Sequence, residues 1–84
     1  MTPSDLALTA FLTCRELLEQ GLRQGHMAES WRDEDQNNHL DKAVRHIMTY
    51  KLIRDGNQKP DNESCHLKNA LCRVAMALCQ ELDK

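Results

Sequence analysis

The most apolar stretch of the chain is residues 62–82. When it is placed on a helix, four aliphatic residues share one side, with alanines and cysteines beside them. These four are Leu67, Leu71, Val74 and Leu78. A helix that is apolar around most of its circumference is usually buried on several sides. We therefore predict that this segment is the central helix of the fold and that its aliphatic stripe is buried.

The N-terminal segment predicts a first helix. Thr2 can cap it, Pro3 fits the first helical position, and Asp5 falls in the first turn, where a negative charge is favourable. The apolar period continues to about residue 24, and Gly25 is a suitable stop. Gly21 lies inside the apolar arc, so we expect another helix to approach closely at that position.

A second helix is expected from a cap at Asn37 or Asn38 to a stop at Gly56. Its predicted buried stripe is formed by Leu40, Ala43, Val44 and Ile47. A short turn containing Pro60 then leads into the last helix, so that the second and third helices form an antiparallel hairpin. The predicted fold is all-α: residues 1–84 form a single domain, a three-helix bundle in which helix 3 is central.

Composition supports this fold class and suggests a location. The 84 residues include only two prolines, three glycines and three aromatic residues. The first apolar run lacks a preceding basic region, and no stretch is long enough for a membrane span, so we expect a cytoplasmic location and no membrane partner. The net charge is −2, and the basic residues form no concentrated patch of the kind that nucleic-acid-binding domains normally carry. We therefore expect no nucleic-acid partner.

The four cysteines are expected to be reduced thiols in that compartment. Cys65, Cys72 and Cys79 follow at heptad spacing along helix 3. We expect them to be buried against helix 1 or against another subunit. Because so short a chain buries little surface alone, we also expect self-association into a homo-oligomer, through helix 1 or this cysteine stripe.

Two ten-residue segments, 39–48 and 66–75, share the pattern H-L-x-[KN]-A-[VL]-x-x-[IV]. Each carries polar residues on one flank of its apolar stripe: His39, Lys42 and His46 in the first, and His66, Asn69 and Arg73 in the second. These flanks can be boundary residues satisfied by water. Alternatively they border a groove that binds an anion or nucleotide, with Lys42, Arg45 or Arg73 meeting phosphates and a histidine donating a hydrogen bond.

Trp31 stands alone in the polar connection between helices 1 and 2. One interpretation is that it folds back over the end of the core. The other is that its ring is a stacking platform for a base or an anchor for a partner.

The residues predict neither a metal site nor a catalytic centre. His39 and His46 lie about two helical turns apart, too far to chelate one ion, and the zinc-type C-x-x-C and H-x-x-x-H spacings are absent. Glu16 and Glu19 form an E-x-x-E pair, which resembles the first half of the magnesium-binding pattern of all-α nucleotide pyrophosphatases of the MazG kind, but the second E-x-x-D pair of that pattern is missing. We therefore expect no cofactor.

Residues 30–78 resemble a small phage and prophage domain found at the N-terminus of dATP/dGTP diphosphohydrolase-like proteins. The positions that match its pattern are Trp31, Arg45, His46, Glu63, Ser64, His66, Leu67 and Ala70. Lys42 stands where that pattern has aspartate, and Asn69 replaces its second histidine. The resemblance implies a nucleotide-related module of phage type, and these departures argue against catalysis.

Two functions follow as expectations. The first is a non-catalytic nucleotide-binding protein, or an accessory protein of nucleotide metabolism. Its ligand-binding residues would be Trp31, Arg45, His46, Glu63, His66, Asn69 and Arg73. The second is a protein-interaction module, such as a phage inhibitor of a host protein, which would use the acidic loop of residues 29–35 and an exposed apolar seam.

Overall fold

The computed structural model describes residues 1–27, 29–61 and 65–84. Helix α1 spans Pro3–Arg23, a short 3-10 helix spans Ser30–Asp33, α2 spans Gln36–Arg54 and α3 spans His66–Leu82. The described residues contain no strand, so the predicted all-α fold is confirmed. The predicted site residue Glu63 and the matching Ser64 lie outside the described residues.

The start of α1 has the predicted cap. The Thr2 hydroxyl accepts a hydrogen bond from the Asp5 backbone N–H at 3.2 Å, and the Asp5 carboxylate accepts one from the Thr2 backbone N–H at 3.0 Å. These bonds to the backbone and side chain of Thr2 lower the pKa of the Asp5 carboxyl group. The reciprocal arrangement is a capping box, which satisfies two otherwise unpaired helix N–H groups.

Glycines end the first two helices as predicted. Gly25 and Gly56 have φ angles of +94° and +79°, a left-handed conformation that glycine adopts at little cost. The start of α2 was predicted slightly too late. Asp35 caps this helix by accepting a hydrogen bond from the Asn37 backbone N–H at 3.0 Å.

Helix α3 is central, as predicted, because it packs against both α2 and α1 and also contacts the 3-10 helix. Helices α1 and α2 do not pack against each other in the described part of the chain. The bundle is thus an antiparallel α2–α3 hairpin with α1 on one side of α3. No helix among the described residues has the length and apolar character needed to cross a membrane.

The predicted aliphatic core is wrong. The buried apolar residues are small: Ala43 in α2, and Ala70, Cys72 and Ala77 in α3. The four-residue stripe predicted for helix 3 is exposed, and so are three of the four residues predicted for helix 2. These exposed residues are Leu40, Val44, Ile47, Leu67, Leu71, Val74 and Leu78.

The error has a simple physical origin. Helices α2 and α3 bury alanines, Ala43 in α2 and Ala70 and Ala77 in α3, whereas the longer aliphatic side chains on the neighbouring side of each helix stay exposed. Helix α1 then covers the side of α3 that carries Cys72, where the facing residue Cys14 lies. The aliphatic side of the hairpin is left uncovered.

Two further expectations about α1 and α3 change. Of the three cysteines along α3, only Cys72 is buried, whereas Cys65 and Cys79 are exposed. Burial, together with the neighbouring Cys14 thiol, raises the pKa of Cys72 to about 11. The expected close approach of a helix to Gly21 does not occur, because a Cβ atom placed there would meet only His26, at 3.8 Å.

Candidate functional site

Two pairs of polar side chains join α2 to α3. They lie on the polar flanks of the two repeated segments, 39–48 and 66–75. Arg73 Nη1 lies 2.9 Å from His39 Nδ1, and His46 Nδ1 lies 2.8 Å from His66 Nδ1. In the repeat, His39 corresponds to His66 and His46 corresponds to Arg73. Exchanging the two helices therefore converts one pair into the other, so the hairpin has an approximate internal two-fold symmetry.

His39 is the interior member of this network, with 0% of its surface exposed. Its Nε2 lies 2.8 Å from the Trp31 carbonyl oxygen. Because arginine only donates hydrogen bonds, His39 Nδ1 must accept from Arg73 and Nε2–H must donate to Trp31. The neutral ring in this tautomer satisfies both partners and ties the 3-10 helix to the hairpin.

Glu34 supplies the counter-charge for Arg73. Its Oε2 accepts hydrogen bonds from Arg73 Nη1 at 2.8 Å and from Asn38 Nδ2 at 2.9 Å. Partial burial opposes ionisation of this carboxyl group, but the hydrogen bond and charge of Arg73, helped by Asn38 and Lys42, lower its pKa overall. The guanidinium is thereby held in one position at the boundary of the core.

A second chain of hydrogen bonds positions His46. His66 is buried, and its Nε2 lies 2.9 Å from Asp61 Oδ2. The carboxylate can only accept, so Nε2–H of His66 donates to it; in neutral His66, Nδ1 then accepts the Nδ1–H of His46. Asp61 thus fixes the ring of His66, and His66 fixes the ring of His46.

His46 and Arg73 face a cleft of about 760 Å³ between the last turns of α1, the segment before the 3-10 helix, and the hairpin. One part of its wall is apolar and consists of Leu17, Leu18, Leu22, Met27 and Met76. Another part is polar and consists of Gln20, Gln24, His46, Asn69 and Arg73. A concave site with an apolar wall and a few convergent polar groups has the usual form of a small-molecule site.

The predicted site residues separate into three groups. Trp31, His46, Asn69 and Arg73 line the cleft. His66 lies behind His46 and positions it. Arg45 is on an exposed side of α2, outside the cleft lining.

Trp31 lies where the loop meets the hairpin. Its backbone holds the loop against the hairpin, since its carbonyl oxygen accepts hydrogen bonds from His39 and from Gln80 Nε2, the latter at 3.3 Å. Trp31 is also among the residues that line the cleft, and the Arg32 guanidinium lies over its ring, 4.8 Å from the centroid. The residue therefore joins the loop to the hairpin at the edge of the cleft.

Sequence reasoning missed the wall that α1 contributes. It expected a groove between helices 2 and 3 alone, whereas Leu17, Gln20 and Gly21 of α1 form the opposite side of the cleft. Gly21 was noted in the sequence only as a point of close helix approach, and nothing in the pattern linked these positions to the polar flank of the hairpin. Their role follows only from the packing of α1 on α3.

The two other chemical candidates stay apart from the cleft. Glu16 and Glu19 are exposed and form surface ion pairs with Lys68 and Arg15, each at 3.8 Å. Among the described residues, no group of three histidine, cysteine or acidic side chains is arranged to hold a metal ion.

Comparison of the chain with protein-family models, curated proteins and solved structures gives no match. The resemblance to the phage domain therefore stays a prediction.

Proposed function

We propose that this chain is a cytoplasmic, non-catalytic nucleotide-binding protein and that it has an accessory role in nucleotide metabolism. The phage type is part of the proposal and rests on the resemblance of residues 30–78. The observation that carries the proposal is the cleft, because it brings together Trp31, His46, Asn69 and Arg73 from separate parts of the chain.

The apolar part of the cleft suits a nucleobase. Its wall is built from leucine and methionine side chains, and Trp31 adds an aromatic surface on which a base can stack. The volume of about 760 Å³ lies within the range of roughly 300–1,000 Å³ that is usual for small-molecule sites.

The polar part suits the sugar and phosphate groups. Arginine carries five N–H donors in a planar fork, and Nη1 of Arg73 is the atom that contacts Glu34 and His39. A phosphate would therefore be recognised through the other side of the guanidinium. Asn69, whose amide nitrogen donates to the Cys65 carbonyl oxygen at 3.1 Å, and His46, which pairs with His66, lie along the same wall.

The non-catalytic part of the proposal rests on how the two carboxylates that line the cleft, Glu29 and Glu34, are used. Glu29 pairs with Arg32 at 3.4 Å. Glu34 lines the cleft, but its Oε2 already accepts from Arg73 and Asn38. Its role in the proposal is to hold Arg73 in place.

The alternative, a protein-interaction module, has weaker support from the acidic loop. Glu29 pairs with Arg32 at 3.4 Å, Glu34 pairs with Arg73, and Asp35 caps α2. Much of the loop's negative charge is thus used within the chain. A host partner would have to bind mainly through exposed apolar surface.

Calorimetric titration with purine and pyrimidine nucleotides, with and without Mg²⁺, tests the proposal. We expect at least one nucleotide class to bind and to raise the free energy of unfolding by about 2.7 kcal/mol at 100 times its dissociation constant. Arg73→Gln should weaken binding about tenfold, a change of about 1.4 kcal/mol. Arg45→Gln removes the same charge outside the cleft and should leave the affinity unchanged.

Circular dichroism of both variants verifies that the helices are retained. The proposal fails if no nucleotide binds. It also fails if Arg45→Gln weakens binding as much as Arg73→Gln, because the interaction would then be non-specific charge attraction.

A further inference from the structure

The α2–α3 hairpin leaves a broad aliphatic surface uncovered, which we call the hairpin face. Helix α2 contributes Leu40, Val44, Ile47 and Met48 to it. Helix α3 contributes Leu67, Leu71, Val74 and Leu78. Each of these eight residues exposes between 39% and 59% of its surface.

The two sets of residues lie on the same side of the hairpin. In each helix, the aliphatic stripe lies about a quarter of a turn around the helix axis from the buried alanine, Ala43 or Ala70. The direction of this rotation, viewed from the N-terminus of each helix, is the same in both helices. Because α2 and α3 are antiparallel, that shared sense directs both stripes toward one side. Helix α1 packs against α3 through the side that carries Cys72, so the hairpin face is turned away from α1 and from the cleft.

The size of this surface exceeds what a monomer normally exposes. The eight residues together expose roughly 700 Å², whereas the largest apolar patch of a typical monomer is about 300–600 Å². Stable interfaces bury about 800 Å² on each partner. The hairpin face is thus close to the size that a standard interface requires.

The total surface of the chain is also large for a monomer, with contributions from exposed apolar residues of α1 such as Leu6 and Phe11 as well as from the hairpin face. The accessible area is 6434 Å² for a chain of 9.7 kDa. A folded monomer of that mass is expected to expose roughly 5,100 Å², so this chain exposes roughly 1,300 Å² in excess. Among the described residues, the buried apolar side chains are three alanines and one cysteine, so the single chain buries little of its larger aliphatic surface.

We propose that a second copy of this chain covers the hairpin face, so that two hairpins form a four-helix bundle about a two-fold axis. Such an axis brings the same surface of both copies together and makes every neighbouring pair of helices antiparallel. The new core would contain the larger aliphatic side chains that the single chain leaves exposed.

Charges at the edge of the face fit a second copy. Asp41 and Arg45 are exposed and lie along the outer edge of the α2 stripe, one turn apart. When two α2 helices cross in opposite directions about a two-fold axis, the acid of each copy meets the base of the other. An edge that carries an acidic and a basic residue one turn apart is therefore complementary in charge to the same edge of a second, antiparallel copy.

This assembly differs from the one expected from the sequence, which placed self-association on helix 1 or on the cysteine stripe. Cys65 and Cys79 are exposed but lie toward the α1 side of α3, away from the hairpin face. Because the cleft is also on the α1 side, a dimer formed through the hairpin face would leave both clefts open. Failure of nucleotide binding and failure of dimerisation are therefore separate results.

Analytical ultracentrifugation of the full chain at micromolar concentration tests the proposal. The wild-type chain should sediment with twice the mass of 9.7 kDa. Val74→Glu and Val44→Glu each place a charge in the hairpin face and should reduce the mass to that of one chain. Leu8→Glu changes an exposed residue of α1 and should leave the dimer intact.

Isotope-filtered nuclear Overhauser spectra of a mixed labelled and unlabelled sample locate the contact. Contacts between copies should connect methyl groups of Leu71, Val74 and Leu78 with those of Val44 or their own counterparts. A wild-type chain that sediments as a monomer would overturn the proposal. So would a dimer that survives both valine substitutions, or one whose intermolecular contacts come from α1.

Discussion

His46 and His66 meet across the hairpin with their Nδ1 atoms 2.8 Å apart, and this pair is the internal counterpart of His39 and Arg73. Each pair joins the start of one repeated segment to a position seven residues into the other. Along each helix, a buried alanine, Ala43 in α2 and Ala70 in α3, lies between the two paired positions. The sequence repeat therefore has a structural counterpart, because residues that are equivalent in the two segments take equivalent positions in the two pairs.

The two pairs differ in chemistry, and that difference shapes the cleft. The His39–Arg73 pair includes a cation that Glu34 balances, whereas the His46–His66 pair leads to the Asp61 carboxylate. Both pairs present one member to the cleft, Arg73 and His46. The two pairs, related by the approximate two-fold symmetry of the hairpin, thus place two different polar groups in the lining of one cleft.

Replacing His39 should destabilise the fold. In His39→Leu, the Trp31 carbonyl and Arg73 each lose a buried partner, which should lower the free energy of unfolding by about 1–3 kcal/mol. His39→Gln retains one donor and one acceptor and should lose less. His26→Leu, at an exposed histidine, should change the value by less than about 0.5 kcal/mol. Urea denaturation measures all three, and equal losses for the leucine and glutamine variants at position 39 would contradict the assigned hydrogen bonds.

The Glu34–Arg73 pair should make stability depend on pH. Because the pKa of Glu34 is lower in the folded chain, its contribution is fully present above about pH 4.5, the ordinary value, and is lost as the pH falls through the lower folded value. For a carboxylate that is one-third exposed, we expect less than about 1 kcal/mol.

Denaturation of Glu34→Gln at neutral and at acid pH measures that contribution. The variant should be less stable than wild type near neutrality and equally stable in acid. Glu29→Gln, which removes an exposed carboxylate of the same loop, should keep the wild-type difference between the two conditions. A Glu34→Gln deficit that persists unchanged in acid would show that the lost stability is unrelated to the carboxylate's charge.

The sequence predicted the helices well because their ends depend on local chemistry. The Thr2 cap and the stops at Gly25 and Gly56 follow from hydrogen bonding and backbone preference within a few residues. The buried side of α3 was predicted wrongly because periodicity shows which residues are apolar, not what covers them. The alanines pack inside, and the stripe containing Val74 stays exposed in the single chain.

The candidate site was predictable only in part. The repeat identified the flank that carries His46, Asn69 and Arg73, since polar residues at matching places are unusual beside an apolar stripe. The contribution of α1 depends on which side of α3 it covers. Likewise, the pairing of Glu34 with Arg73 joins residues far apart in sequence, at a distance that no local pattern reveals.

Cys72 should be the least reactive of the cysteines along α3. Its thiol is buried and its pKa is raised to about 11 from 9.0, which lowers the thiolate fraction about a hundredfold at a given pH below both values. Cys65 and Cys79 are exposed and should react first with a thiol reagent. Mass spectrometry of partly alkylated protein identifies the sites; early modification of Cys72 would contradict the packing of α1 on α3.

The same substitution should have opposite effects at two neighbouring glycines. Gly21→Ala places a methyl group in ordinary contact with His26 inside α1 and should raise the free energy of unfolding by about 0.5–1 kcal/mol. Gly25→Ala forces a Cβ atom into a residue with φ of +94° and should lower it by about 1 kcal/mol. Thermal unfolding of both variants checks the signs, and a loss at position 21 would mean that a closer neighbour occupies that side of α1.

The most direct test of the cleft as a nucleotide site uses Trp31, the single tryptophan of the chain. Because Trp31 is one of the residues that line the cleft, titration with the nucleotide found by calorimetry should change its fluorescence in a saturating way. The midpoint should agree with the calorimetric dissociation constant and shift about tenfold in Arg73→Gln. Unchanged Trp31 emission across the full nucleotide panel, or a midpoint unaffected by Arg73→Gln, would contradict binding in this cleft.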